Sequence, residues 1–152
     1  MTHTDRGSAL VPAPIESVFA ALVDGDARAT WVPPSGMKGR VEHFDARAGG
    51  GYRMVLSYDD TSTRGKTEAY HDVVEARFGE IEPAFRVVEL VDFLSDDPAL
   101  AGTMTMTWTL AAEGAGTRVT ITATDVPDAI ASSDHVVAFA STLANLERYL
   151  AT

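Results

Sequence analysis

Few side chains in this chain can move protons or hold metals, and their spacing narrows the chemistry further. There are four histidines, His3, His43, His71 and His135, and no cysteine. No two histidines lie four apart on a helix with a glutamate, so the zincin arrangement is missing, and without thiolates no structural zinc site is expected. The closest approach to an acid/base set is His71 beside Asp72, with Glu89 and Asp92 in the neighbouring apolar run. If strand pairing carried His71 and Glu89 to one interior surface, they could polarise a carbonyl or transfer a proton there. The plainer reading of such charges is a solvated strand face that discourages edge-to-edge association.

Other catalytic patterns fall away on inspection. The glycines of "AGGGYR" lead into an apolar alternation and lack the lysine and helix N-terminus of a phosphate loop, so they are expected to form a hairpin turn. No G-x-S-x-G elbow exists, and Ser132 and Ser133 suit the cap of a helix better than a nucleophile's role. Neither a metal nor a cofactor is expected.

The elements that would position these residues follow from periodicity. A short strand to Val11 turns at Pro12 and Pro14, after which Ile15, Val18, Phe19 and Leu22 mark one face of a short helix. Asp24, Gly25 and Asp26 interrupt it, and "ARATW" predicts a second small helix ended by Pro33 and Pro34. Strands follow in "GRVEHFDA", in "GYRMVLSY" and in "EAYHDVVEARFGEIE" and "FRVVELVDFL", the last two parted by Pro83. The stretch "GTMTMTWTLAA" alternates threonines with Met104, Met106, Trp108 and Leu110, and pairs with "GTRVTITAT" around "EGAG". A final helix, capped by Ser132 or Ser133 with Asp134 in its first turn, carries an apolar stripe of Val136, Phe139, Ala140, Leu143, Leu146 and Leu150.

Strands that must bury one face, with one long helix available, predict an α+β fold in which a curved antiparallel sheet wraps that helix. The length suits one domain spanning residues 1–152. The inward strand faces then bring together Tyr52, Met54, Tyr58, Met104, Met106 and Trp108, with Phe139 from the helix, as a soft aromatic wall for a small hydrophobic or aromatic ligand. The alternative is that these side chains simply fill the core. Trp31 is read from its residue type as a plug of the core. Arg53 and Arg77 alternate with apolar neighbours and should face solvent, paired with acids such as Glu75 or Glu80. In "FRVVELVDFL" both faces are apolar, Val88, Leu90 and Leu94 against Phe85, Val87, Val91 and Phe93, which raises a homodimer as one partner.

Composition excludes several function classes. With 12 Lys and Arg against 22 Asp and Glu, the formal charge of −10 repels nucleic-acid backbones and anionic lipid surfaces. No apolar run reaches membrane-spanning length and no secretion-signal pattern opens the chain, so a soluble cytoplasmic protein is expected.

The motifs "VPAPIESVFAAL", "DARAGGGYRMVLS", "FGEIEPAFRVVELVDF", "MTMTWTLAAEGAGTRVTIT" and "STLANLERYL", in that order, resemble the START-like, or SRPBCC, superfamily, and within it the branch named for activators of the 90-kDa heat-shock chaperone ATPase. The resemblance covers about Leu10 to Leu150. It implies a helix-grip (START-like) fold, an antiparallel sheet of six or seven strands around a long C-terminal helix with two short helices after the first strand, and a cavity between sheet and helix with Trp31 as a lip over its mouth. It also implies three kinds of function: hydrophobic-ligand or lipid binding, cyclase or hydratase chemistry on a polyketide-like substrate, and contact with a chaperone partner. Relatives often carry a Gly-Trp pair early in the last helix where this chain has "HVVAFAS", so Phe139 or Val137 is expected to take up that volume.

Overall fold

The computed structural model describes residues 2–33, 36–58, 71–94 and 97–151, and the side chains of His71 and Asp72 lie outside that description. Strand β1 (His3–Val11) is followed by helices α1 (Ile15–Leu22) and α2 (Gly25–Trp31), then β2 (Met37–Glu42), β3 (Gly51–Tyr58), β4 (His71–Glu82) and β5 (Arg86–Phe93). A short 3-10 turn at Pro98–Leu100 leads to β6 (Thr103–Glu113), β7 (Gly116–Val126) and the long helix α3 (Ser132–Leu150). The seven strands form one curled antiparallel sheet in the order β1-β7-β6-β5-β4-β3-β2. Every neighbouring pair except β1 and β7 is consecutive in sequence, so β2 to β7 form an antiparallel meander.

Alternation in β6 and β7 does what the sequence implied. Thr105, Thr107 and Thr109 pair with Thr124, Thr122 and Thr120 on the outer face. Met104, Trp108 and Leu110 turn inward with Val119, Ile121 and Ala123, and all six are buried. The uncertain face of β5 is settled by Val87 and Val91, both buried, while Phe85 stays 44% exposed in the preceding turn under Arg86, 5.0 Å from ring centroid to guanidinium carbon.

Helix α3 packs along β1 and the end of α2. Its buried face is Phe139, Thr142, Leu143 and Leu146, not the full stripe read from the sequence. Val136 is 43% and Val137 68% exposed, and Ala140 is exposed as well. Two polar pegs set this rotation: Thr142 Oγ1 donates to Val32 O (2.8 Å) and Asn145 Nδ2 to Pro33 O (2.8 Å), satisfying carbonyls at the end of α2. Phe139 therefore fills the inner volume and Val137 does not. The expected serine cap also fails, because the residue in the cap position is Ala131 and makes no side-chain cap bond. Ser132 instead hydrogen-bonds the Asp5 carboxyl across from it.

Two further boundaries differ. Asp24 does not merely interrupt α1; its Oδ1 accepts from the backbone N–H of Asp26 (3.0 Å) and Ala27 (3.3 Å), so it caps α2. Strand β2 stops at Glu42 because His43 takes a left-handed conformation (φ 55°), which ends the ladder before "FDA".

Candidate functional site

Register defines the inner surface of the sheet. One row across the strands is Tyr52, Ala76, Val91 and Met104. The next is Phe78, Glu89, Met106, Ala123 and Asp5. Two carboxylates thus point inward from an otherwise apolar face, and each is buried with its own set of partners.

Glu89 stands between Val87 and Val91 in the inward alternation and is 1% exposed. Its Oε1 accepts from Arg28 Nη1 (2.8 Å) and from the Tyr52 hydroxyl (2.5 Å), and its Oε2 accepts from Trp108 Nε1 (2.6 Å). Arg28 reaches it from α2, where Ala27, Arg28 and Trp31 form the buried side of the helix. The guanidinium also donates through Nε to Leu22 O (2.6 Å) and through Nη1 to the Tyr52 oxygen (3.1 Å). Its central carbon lies 5.4 to 5.9 Å from the ring centroids of Tyr52, Trp108, Phe78 and Phe44, within the range of cation–π attraction. Burial works against the guanidinium charge, but the Glu89 carboxylate and then Tyr52 outweigh it and raise its pKa. Burial, reinforced by the Glu89 charge, likewise raises the Tyr52 phenol far above its ordinary value, so it remains a donor.

Aromatic packing closes this knot. Trp31 is fully buried, stands edge-on to Trp108 at 5.5 Å, and donates its Nε1 to Ala21 O (3.2 Å). Phe44 contacts Tyr52 (5.4 Å) and Phe78 (5.7 Å) and rests on the N-terminus of α2, where a Cβ on Gly25 would come within 2.8 Å of it.

Asp5 forms the second site. His135 Nδ1 from α3 and His3 Nε2 from β1 both meet its Oδ2, at 2.7 and 3.0 Å. Burial would raise the Asp5 carboxyl, but the bonds from Ser132 and His135 and the attraction of His3 prevail and hold it below its ordinary value.

Of the residues expected in the ligand wall, Met54, Met104, Trp108, Phe139 and Trp31 are buried, and Tyr52 and Met106 are partly buried. Tyr58 lies at the rim of the sheet, 41% exposed. The suggested pairing of His71 with Glu89 is not made: His71 pairs with Ser57 at one end of β4, whereas Glu89 faces Phe78. Seven residues of strand separate the two positions, roughly 23 Å at the usual strand rise. Sequence reasoning missed Arg28 and the roles of Tyr52 and Trp108 as donors. One signal was available, since Arg28 lies three residues before Trp31 and so shares its helix face.

On the outer side, a groove of about 700 Å³ runs over the β3–β4 end of the sheet, its lining including Gly50, Gly51, Arg53, Glu75 and Arg77. Its charges pair across strands, Arg53 with Glu75 (3.5 Å) and Arg77 with Asp92 (3.6 Å). Among the described residues no group of three or more His, Asp or Glu is placed to hold a metal ion, and no helix is long and apolar enough to cross a membrane.

Known structures share this architecture. A Chromobacterium violaceum protein is 29% identical, with a TM-score of 0.86, covering 99% of this chain and 98% of its own. An AHSA1-like protein from Aeromonas hydrophila is 21% identical, with a TM-score of 0.72, covering 97% of this chain and 92% of its own. DynU16, a protein of the dynemicin biosynthetic locus, is 21% identical with a TM-score of 0.71; the match covers 100% of this chain and 48% of that one. No curated protein matches. The sequence model described as Activator of Hsp90 ATPase homolog 1-like protein matches residues 12–151, nearly the whole span from the first turn to the end of α3, and the chain belongs to that family.

Proposed function

We propose that this protein binds a small hydrophobic or aromatic molecule against the inner face of its sheet and does no chemistry on it. The observation that carries this is the state of Glu89. Both of its oxygens are engaged by donors, and its charge is matched by a buried guanidinium. A general acid or base needs a free lone pair or proton within reach of its substrate, and three donors from the protein already occupy the two Glu89 oxygens. Beside it the inner face is soft and apolar: Met54, Met104 and Met106 lie in or next to the rows of Tyr52 and Glu89, with Val74 and Phe93 partly buried. Methionine adapts to ligand shape at low cost, as such a wall needs.

The test is binding of methyl naphthyl ketone, followed by equilibrium dialysis. Met106→Trp should weaken it about tenfold or more by filling space beside Glu89, with the circular dichroism spectrum unchanged. Equal affinity in the variant would remove the inner face as the binding surface. Native mass spectrometry of protein purified from its own host should in addition show a retained mass of a few hundred daltons.

A further inference from the structure

The guanidinium of Arg28 has five N–H donors. Three are used within the protein, one on Leu22 O through Nε and two through Nη1 on Tyr52 and Glu89. Nη2, which carries the other two, is buried without any partner. It is the single described side-chain nitrogen or oxygen in that condition. Buried donors of a charged group are almost always satisfied, because leaving one bare forfeits its full hydration.

We infer that Arg28 Nη2 is the polar anchor of the ligand site and takes a neutral acceptor oxygen, the carbonyl of a ketone, quinone or amide on an apolar, planar molecule. It rests on the hydrophobic-ligand function proposed above and names the ligand's polar group. The position supports this. Glu89, the partner of Arg28, is cross-strand neighbour to Met106, so the knot borders the apolar wall.

Charge decides between neutral and anionic acceptors. Arg28 is already neutralised by Glu89, 2.8 Å away, and both side chains are 1% exposed. A ligand carboxylate would put a second negative charge beside Glu89 with no further cation, in a site where water cannot screen the repulsion. Among the described residues, the rings of Phe44, Tyr52, Phe78 and Trp108 surround the guanidinium and no second basic side chain does. A carbonyl oxygen accepts from Nη2 and leaves the net charge at zero.

Three probes of one shape separate the cases: methyl naphthyl ketone, isopropenylnaphthalene, in which a methylene replaces the oxygen, and naphthoate. Equilibrium dialysis should rank the ketone at least about tenfold tighter than the alkene, the low end for a hydrogen bond from a charged donor, and naphthoate weakest. In the paired variant Arg28→Met with Glu89→Gln the ratio of ketone to alkene should fall to about one. If that variant does not fold, the ranking in the unaltered protein decides alone. Equal binding of ketone and alkene would overturn the anchor while leaving the hydrophobic site standing, as expected if Nη2 merely holds a water. Tightest binding by naphthoate, or a ketone preference that survives in the paired variant, would also overturn it. Binding of none of the three would remove both the anchor and the function on which it rests.

Discussion

Replacing Glu89 by glutamine keeps the shape of the side chain and deletes one charge, which makes it the sharpest probe of the buried knot. The carboxylate accepts three hydrogen bonds and balances a guanidinium that is itself 1% exposed. Breaking a buried pair from one side leaves the other charge uncompensated, at a cost of about 3–5 kcal/mol. The amide nitrogen must also point at one of three donors, adding roughly 1 kcal/mol. A chain of 152 residues has an unfolding entropy near 0.3 kcal/mol per kelvin at its midpoint. Glu89→Gln should therefore lower Tm by roughly 13–20 °C. In the paired variant Arg28→Met with Glu89→Gln the amide oxygen can accept from Trp108 and the amide nitrogen can donate to the Tyr52 oxygen. What remains is mainly the lost donor to Leu22 O, so the pair should cost about 1–3 kcal/mol, less than Glu89→Gln alone. Thermal and urea unfolding of both single variants and the pair give the coupling energy, expected at about 2 kcal/mol or more. Additive costs, or a Glu89→Gln protein within about 1 kcal/mol of the parent, would mean that the two charges are not mutually dependent and would refute the reasoning.

Three further outcomes follow from other contacts. Gly7→Ala places a Cβ 2.9 Å from Phe139 Cβ; it should cost about 1–3 kcal/mol in urea unfolding, and Phe139→Leu should not rescue it, because leucine carries the same Cβ. Asp5 is held below its ordinary value of 3.8 by its hydrogen bonds, so its contribution is present above that value and is lost as pH falls through the lower folded value. The fall in Tm from about pH 6 to about pH 3 should then be smaller in Asp5→Asn than in the parent, and an unchanged difference would exclude Asp5 as a source of the acid sensitivity. The tenfold weakening expected of Met106→Trp is the matching test of the inner face, read by dialysis.

What could be read from the sequence was what repeats over short distances. Threonine alternating with Met104, Met106 and Trp108 specified which side of β6 is buried, because strand geometry leaves no other choice. The same rule placed Arg53 outward, and the structure pairs it with Glu75. The rotation of α3 was not available in this way: Val136 and Ala140 satisfy the helical period, yet the buried face is set by Thr142 and Asn145 bonding to carbonyls more than a hundred residues earlier. Arg28 and Glu89 fail for a related reason. Each is a charge inside an apolar pattern, Arg28 beside Ala27 and Trp31, Glu89 between Val87 and Val91, and each alone contradicts that pattern. A lone charge at either position reads as a surface residue on a helix or strand. Only their meeting across 61 positions of sequence removes the contradiction, since each supplies the counter-charge that makes the other's burial tolerable. The pair is therefore expected to change together or not at all, with Arg28→Met and Glu89→Gln tolerated jointly and each costly alone.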